Sequence, residues 1–223
     1  MSNKSGMLKL LQATDSLFPI GAFTLSNGME TYTNLGIVNS GESLSEYLDA
    51  YVYLLPYSDL GFAAKTAAGG DITLLDGIFA ASRSPYEHRC GSSKMCARFL
   101  KTEISLGDYN LLKSYSEKIS AGQCMGFFPI SVGLFIREVG ADIDTGLEMY
   151  GYSLLSSAVN HAVKLVPLSQ LDGQRCLSKA AEKIPYAVKK AVSVQIKDLG
   201  ISGSGFDLRS MQHEKLYSRI YIS

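Results

Sequence analysis

Apolar residues recur at three- and four-residue spacing along most of this sequence, a pattern typical of helices with one buried face. One such stripe follows Ser43 and consists of Leu44, Tyr47, Leu48, Tyr51, Val52 and Leu55. Ser43 followed three residues later by Glu46 is typical of a capping box at a helix start. We therefore predict a helix that begins at this serine.

The longest apolar stripe runs from Ile143 to Val166, and Pro167 ends it because proline cannot continue helical hydrogen bonding. Small residues such as Gly151 and Ala158 permit close backbone approach, so we predict that this helix lies at the centre of a bundle. Further helical patterns cover residues 7–14, 24–35, 72–82, 85–103, 108–119, 128–138, 172–183, 186–199 and 206–215.

Alternating patterns typical of strands are scarce, which favours an all-α fold without significant sheet. We predict one domain over residues 1–223, a bundle of about ten helices. Residues 1–6 and about 210–223 are expected to be flexible tails, and the stretches 18–23 and 202–205 to be irregular.

Composition narrows the range of functions. The 223 residues, 46% of them hydrophobic, suit a single sizeable core, and 21 basic against 21 acidic side chains provide no concentrated field for nucleic acid or anionic membranes. No apolar run approaches the roughly 20 residues that span a bilayer. The chain shows no signal-peptide pattern, so a secreted disulfide framework built from its four cysteines has little support. We therefore expect a soluble protein of the reducing cytoplasm.

Two groups of residues could carry chemistry. Cys124, between Gly122 and Gly126, fits the outline of a nucleophile elbow, but the elbow needs a preceding strand and residues 109–120 have a helical pattern. His88, Cys90 and Cys96 could form a soft metal site, but their spacing matches no standard ligand pattern. Structural cysteines and an ordinary turn are the favoured interpretations.

The other histidines and the glycines have simpler interpretations. His161 lies within the most apolar helical pattern, which favours a core histidine over a ligand or base. His213 lies in a polar segment that we expect to be exposed and available for interaction. No G-x-x-x-x-G-K-[ST] motif occurs, so the chain is not itself a P-loop GTPase.

Three ordered blocks carry a resemblance to a known family. They are Asp15-Ser-Leu-Phe-Pro-Ile-Gly-Ala-Phe23 with Ser26-Asn-Gly-Met-Glu30, the stretch Val166 to Arg175, and Met211-Gln-His-Glu214 with Tyr217-Ser-Arg-Ile-Tyr221. In order and spacing these blocks resemble the UreF family of urease accessory proteins from residue 8 to 223. The chain departs from the family pattern at Lys164 and Ser169, where arginine and glycine are usual, and lacks a histidine expected within residues 126–129.

The resemblance implies an all-helical, non-catalytic scaffold, commonly a homodimer. Its implied partners are a UreD/UreH-type accessory protein, a UreG-type GTPase and apo-urease, into which nickel is inserted. It implies no tightly bound cofactor, only transient nickel, and neither catalytic residues nor a fixed metal site.

The resemblance also assigns docking residues. The motif positions expected to meet the UreD-type partner are Phe18, Pro19, Glu30, Tyr32, His213, Tyr217 and Arg219. We expect that packing alone does not explain these residues and that the C-terminal segment orders on binding. For the GTPase we choose Lys164, Gln170, Asp172, Gln174 and Arg175.

Two alternatives remain at the level of sequence. A helical adaptor of the same fold could act in another metal-protein maturation pathway. An enzyme using Cys124 or a His/Cys metal centre would lose an activity on thiol alkylation or purify with stoichiometric metal.

Overall fold

The computed structural model describes residues 3–221, and this part of the chain contains twelve α-helices and no strand. The helices are α1 (Asn3–Thr14), α2 (Met29–Asn34), α3 (Gly41–Leu54), α4 (Asp59–Ala67), α5 (Ile72–Ser82), α6 (Tyr86–Leu106), α7 (Asn110–Ser120), α8 (Phe128–Glu138), α9 (Ile143–Leu165), α10 (Gln170–Ala181), α11 (Ile184–Ser193) and α12 (Ser204–His213). Short 3₁₀ helices span Ala22–Thr24, Leu55–Tyr57 and Ile196–Asp198. The all-α prediction is confirmed.

Helices α4 and α8 form the innermost pair. Every residue of α8 from Phe128 to Ile136 is buried, and so is most of α4. A Cβ atom on Gly133 would lie 2.4 Å from the carbonyl oxygen of Ala63, so only glycine lets the two backbones approach this closely. The core is therefore built around a direct backbone contact between these helices.

Helix α9 packs against both helices of this pair. It packs against α1, α2, α3, α4, α8, α10 and α11 through a face that includes Leu147, Leu155 and Val159. Tyr152 on its opposite face is exposed. The prediction that α9 lies centrally in the bundle agrees with these contacts, although α4 and α8 are more completely buried.

Several helix boundaries differ from prediction. Helix α3 begins after Ser40, whose hydroxyl accepts from the Ser43 N–H at 3.2 Å while the Ser43 hydroxyl accepts from the Ser40 N–H at 3.0 Å. The capping box therefore lies three residues earlier than predicted. The helix expected over 186–199 ends at Ser193 and is followed by a separate 3₁₀ turn. Within residues 3–221, no helix combines the length and apolar character needed to cross a membrane.

Candidate functional site

The start of α2, near the beginning of the chain, lies against α12, near its end. Helix α12 packs against α2 and α6, and Gly28 makes the closest approach possible. This residue has a φ of 83°, and a Cβ there would lie 2.7 Å from the Ser210 hydroxyl. Glycine is thus required both by the backbone conformation and by the neighbouring helix.

His213 lies at this junction and is completely buried. Its Nε2 lies 3.0 Å from a carboxylate oxygen of Glu30, and its Nδ1 lies 2.7 Å from a carboxylate oxygen of Glu87. An ionised carboxylate accepts a hydrogen bond from any ring nitrogen that carries a proton. A single imidazole ring therefore bridges two carboxylates.

Arg219 adds a further contact to this network. Its Nη1 donates to the second oxygen of Glu87 at 2.9 Å, and the backbone N–H groups of Ile220 and Tyr221 donate to Glu30 at 2.6 and 3.1 Å. The two carboxylates are thus held by His213, Arg219 and two backbone N–H groups. Charge-assisted bonds of this kind are stronger than neutral ones.

Glu30 is only 2% exposed, and burial alone would raise its pKa. The hydrogen bonds from the Ile220 and Tyr221 backbone and from His213 outweigh burial, so the pKa of Glu30 lies below its usual range. Glu30 is therefore ionised at neutral pH and fixes the chain after α12. We call Glu30, Glu87, His213 and Arg219, with the Ile220 and Tyr221 N–H groups, the C-terminal anchor.

The anchor directs other side chains outward. Tyr217 is fully exposed and Ile220 is 70% exposed. A surface cavity of about 390 Å³ lies beside them and is lined in part by Thr33 and Lys164. The buried charges thus support an exposed surface of aromatic and apolar groups.

The structure accounts for some predicted docking residues by packing. Phe18 is buried with its ring 5.7 Å from that of Phe99, and the half-buried ring of Tyr32 lies 5.2 Å from that of Tyr47. The expectation that packing alone does not explain the predicted docking residues was wrong for Phe18 and Tyr32. Pro19 is exposed. Partner binding by all seven residues stays a prediction.

The expected exposure of His213 was also wrong. Its partners lie 183 and 126 positions away along the chain, so no local pattern indicates that this polar segment is buried. Sequence reasoning missed Glu87 altogether, although it singled out the adjacent His88. Only the tertiary structure pairs these groups.

The residues chosen for the GTPase lie on two features. Lys164 lines the cavity beside the anchor, and its Nζ lies 5.5 Å from the ring centre of Phe23. Asp172 lies in the first turn of α10, where it accepts from Ser169 at 2.6 Å and from Arg175 at 3.1 Å. Gln170, Gln174 and Arg175 are exposed along α10. Their binding role stays a prediction.

His88 and Cys96, two of the candidate metal ligands, have different surroundings in the structure. His88 Nε2 lies 3.0 Å from the Ser210 hydroxyl, and burial together with the charge of Arg83 lowers the pKa of His88 to about 4. Cys96 is fully buried in the core. Among residues 3–221, no three His, Cys, Asp or Glu side chains are placed to hold a metal ion.

The turn around Cys124 is organised by a buried carboxylate. Asp76 accepts from the Met125 and Gly126 N–H groups at 2.7 and 3.0 Å and from the Tyr115 hydroxyl at 2.7 Å. Burial and this carboxylate raise the pKa of the Cys124 thiol, which opposes formation of a reactive thiolate. Helix α7 precedes the turn, as the sequence predicted, in place of the strand of a nucleophile elbow.

Comparison with known proteins places these features in a family. The UreF family model matches residues 38–181, more than half of the sequence. The chain belongs to the UreF family. It is 37% identical to the urease accessory protein UreF of Actinobacillus pleuropneumoniae serotype 5b over 96% of this chain and 97% of that protein.

Two other UreF relatives are similar over nearly the same length. The urease accessory protein UreF of Paenarthrobacter aurescens is 33% identical over 97% of both chains. That of Haemophilus influenzae strain PittEE is 34% identical over 96% of this chain and 94% of the relative. The similarity thus extends over nearly the full length, and the recognition of a UreF protein from three sequence blocks is confirmed.

Proposed function

We propose that this chain is a non-catalytic scaffold of urease maturation, acting in the cytoplasm as a homodimer. It docks a UreD/UreH-type accessory protein and a UreG-type GTPase while nickel is inserted into apo-urease. Membership of a family of urease accessory proteins supports this proposal. The observation that carries it is the C-terminal anchor.

The anchor supports docking because its charged groups are already paired inside the protein. Glu30, Glu87 and His213 each have partners within the chain, so they do not need a ligand. What remains for a partner is the exposed surface at Tyr217 and Ile220. Exposed aromatic side chains such as Tyr217 often contribute a large share of the binding energy at protein interfaces.

A larger cavity, open to the surface, is consistent with transient contact with nickel. It has a volume of about 580 Å³, and its lining includes the side chains of Asp59, His88 and Asp207. These oxygen and nitrogen groups are ligands that nickel accepts.

The docking proposal is tested with Tyr217→Ala. The side chain is fully exposed, so its removal should leave the fold intact while weakening co-purification with the UreD-type protein by about tenfold or more. Tyr152→Ala, an exposed tyrosine on α9, is the matched control. Equal capture by both variants would contradict the proposed docking surface.

The GTPase face is tested by charge reversal at Lys164 on α9 and at Arg175 on α10. Arg175→Glu and Lys164→Glu should weaken association with the UreG-type GTPase, whereas Lys179→Glu, at another exposed position of α10, should not. Association that is unchanged in the first two variants would remove this assignment. The enzyme alternative is tested with Cys124→Ser. In cells that express urease with its accessory proteins, this variant should leave urease activation intact. Loss of activation by a folded variant would favour the enzyme alternative.

A further inference from the structure

Helix α11 presents a face whose charges all have one sign. Its buried residues, Ile184, Ala187, Val188 and Ala191, form one side of the helix, which packs against α3, α4 and α9. Lys189, Lys190 and Lys197 lie exposed on the other side or on the following 3₁₀ turn. No acidic residue occurs between Lys183 and Asp198. We call this surface the α11 lysine face.

These three lysines have no acidic partner in the part of the chain that the structure describes. The ion pairs within residues 3–221 involve other cations, including Lys183, whose Nζ lies 2.5 Å from Asp49. Lys65 adds a further amino group at the edge of the face, since it donates to the Val192 carbonyl at 2.8 Å. In a chain whose net charge is zero, these lysines form a local cluster of positive charge, bounded along the sequence by Glu182 and Asp198.

Apolar side chains are exposed among the lysines. Tyr186 is 74% exposed, and Val192 and Ile196 are 46% and 42% exposed. An exposed tyrosine with apolar neighbours resembles the centre of an interface, with lysines at its rim. The combination favours a partner that supplies both carboxylates and an apolar side chain.

We propose that the α11 lysine face docks an acidic segment of a protein partner. Its carboxylates meet Lys189, Lys190 and Lys197, and an apolar side chain of the segment packs against Tyr186. The face belongs to α11 and the 3₁₀ turn after it, whereas the C-terminal anchor is built from α2, α6, α12 and the segment after α12. The proposal therefore adds a further docking surface and does not rest on the others.

Two other polyanions fit the face less well. A membrane-binding helix inserts its apolar side among lipids, but that side of α11 is buried against α3, α4 and α9. Nucleic acid binding draws its affinity from many phosphate contacts, and three lysines without arginine on a chain of zero net charge provide few. A short acidic peptide segment matches the size and sign of the face.

The test uses the full chain and a fluorescent peptide of alternating Glu and Phe, with its Gln-for-Glu counterpart as a neutral control. The chain should bind the acidic peptide with an affinity that falls as salt increases. The triple variant K189E/K190E/K197E should lose about tenfold or more of that affinity, whereas the corresponding triple arginine variant should retain it. Circular dichroism and thermal unfolding establish that each variant is folded.

The matched control is K94E/K101E/K215E, which reverses three exposed lysines elsewhere and should bind as the unmodified chain does. Equal affinity for the reversed and control variants would overturn the proposal. So would tighter binding of single-stranded DNA or phosphatidylserine vesicles than of the acidic peptide. Tyr217→Ala should leave peptide binding unchanged, which separates this surface from the C-terminal anchor.

Discussion

At the scale of single residues, His213 shows how a polar segment can be part of the interior. One imidazole ring lies between Glu30 and Glu87, and Arg219 donates to the second oxygen of Glu87. Buried charges of this kind need every partner, because removal of one leaves the others desolvated and unpaired. The anchor therefore links the position of the C-terminal segment to the stability of the junction.

Replacing His213 with alanine should destabilise the protein by roughly 3–5 kcal/mol, because the buried Glu30 carboxylate and the partly buried Glu87 carboxylate would lose the ring that bridges them. Urea unfolding followed by circular dichroism measures the difference. Gln212→Ala, at the adjacent exposed position, should change the free energy of unfolding by no more than about 0.5 kcal/mol. Similar midpoints for both variants would show that the network contributes little.

Glu103 should give stability a pH dependence of its own. Burial raises its pKa to about 7, so the folded protein holds this proton more tightly than the unfolded chain does. The stabilisation is complete below the unfolded pKa, near 4.5, and is lost as pH rises towards 7, at a cost of up to about 3 kcal/mol.

Glu103→Gln removes this titration and should be more stable than the unmodified chain at pH 8, with little difference at pH 4.5. Unfolding free energies measured across that range provide the check. Glu117→Gln, at an exposed position of α7, should leave the profile unchanged. A Glu103→Gln profile that runs parallel to that of the unmodified chain would refute the assignment.

Sequence reasoning reached part of the anchor and not the rest. Motif resemblance singled out Glu30, His213 and Arg219, but it did so as docking residues, with the segment of His213 expected to be exposed. The pattern around a residue reports which face of its own helix is buried. It carries no information about a partner 183 positions away, which is why both the burial of His213 and the role of Glu87 became visible only in the structure.

At the scale of helices, prediction succeeded where the pattern was amphipathic or clearly bounded. Helix α8 spans residues 128–138 as predicted, with Pro129 in its first turn, a position that suits proline. Helix α4 was missed entirely. Since almost all of its residues are small or apolar and buried, no polar face interrupts the pattern to reveal a helical period.

The contact between α4 and α8 should tolerate no added methyl group. Gly133→Ala would place a Cβ 2.4 Å from the Ala63 carbonyl oxygen and 2.7 Å from the Thr66 Cβ, so the helices must separate. We expect a loss of roughly 1–3 kcal/mol, even though alanine favours helix more than glycine does.

Gly77→Ala in α5 is the matched control, because a Cβ there meets nothing within 4 Å. It should be neutral or stabilising by up to about 1 kcal/mol through the helix preference alone. Thermal unfolding of the two variants separates packing from propensity. Equal effects of the two substitutions would show that α4 and α8 are not in direct backbone contact.

At the scale of the whole molecule, the anchor joins the beginning and end of the chain across α6. The segment after α12 contributes the Ile220 and Tyr221 N–H groups to Glu30, and the ring of Tyr221 packs edge-on against His161 with 4.7 Å between ring centres. These contacts involve α2 and α9 and do not involve α4 or α8, the innermost pair of the core. Opening the junction therefore need not open the core.

Removing residues 216–223 tests this separation. Glu30 would lose two backbone donors and Glu87 would lose Arg219, so α2 and α12 should exchange their amide hydrogens faster, while α4 and α8 keep their protection. Hydrogen exchange read by mass spectrometry resolves the two regions. Tyr217→Ala should leave all four helices unchanged, since its exposed ring supports nothing beneath it. If truncation accelerated exchange equally throughout, the C-terminal segment would belong to the cooperative core, and its release to a partner would require unfolding of the bundle.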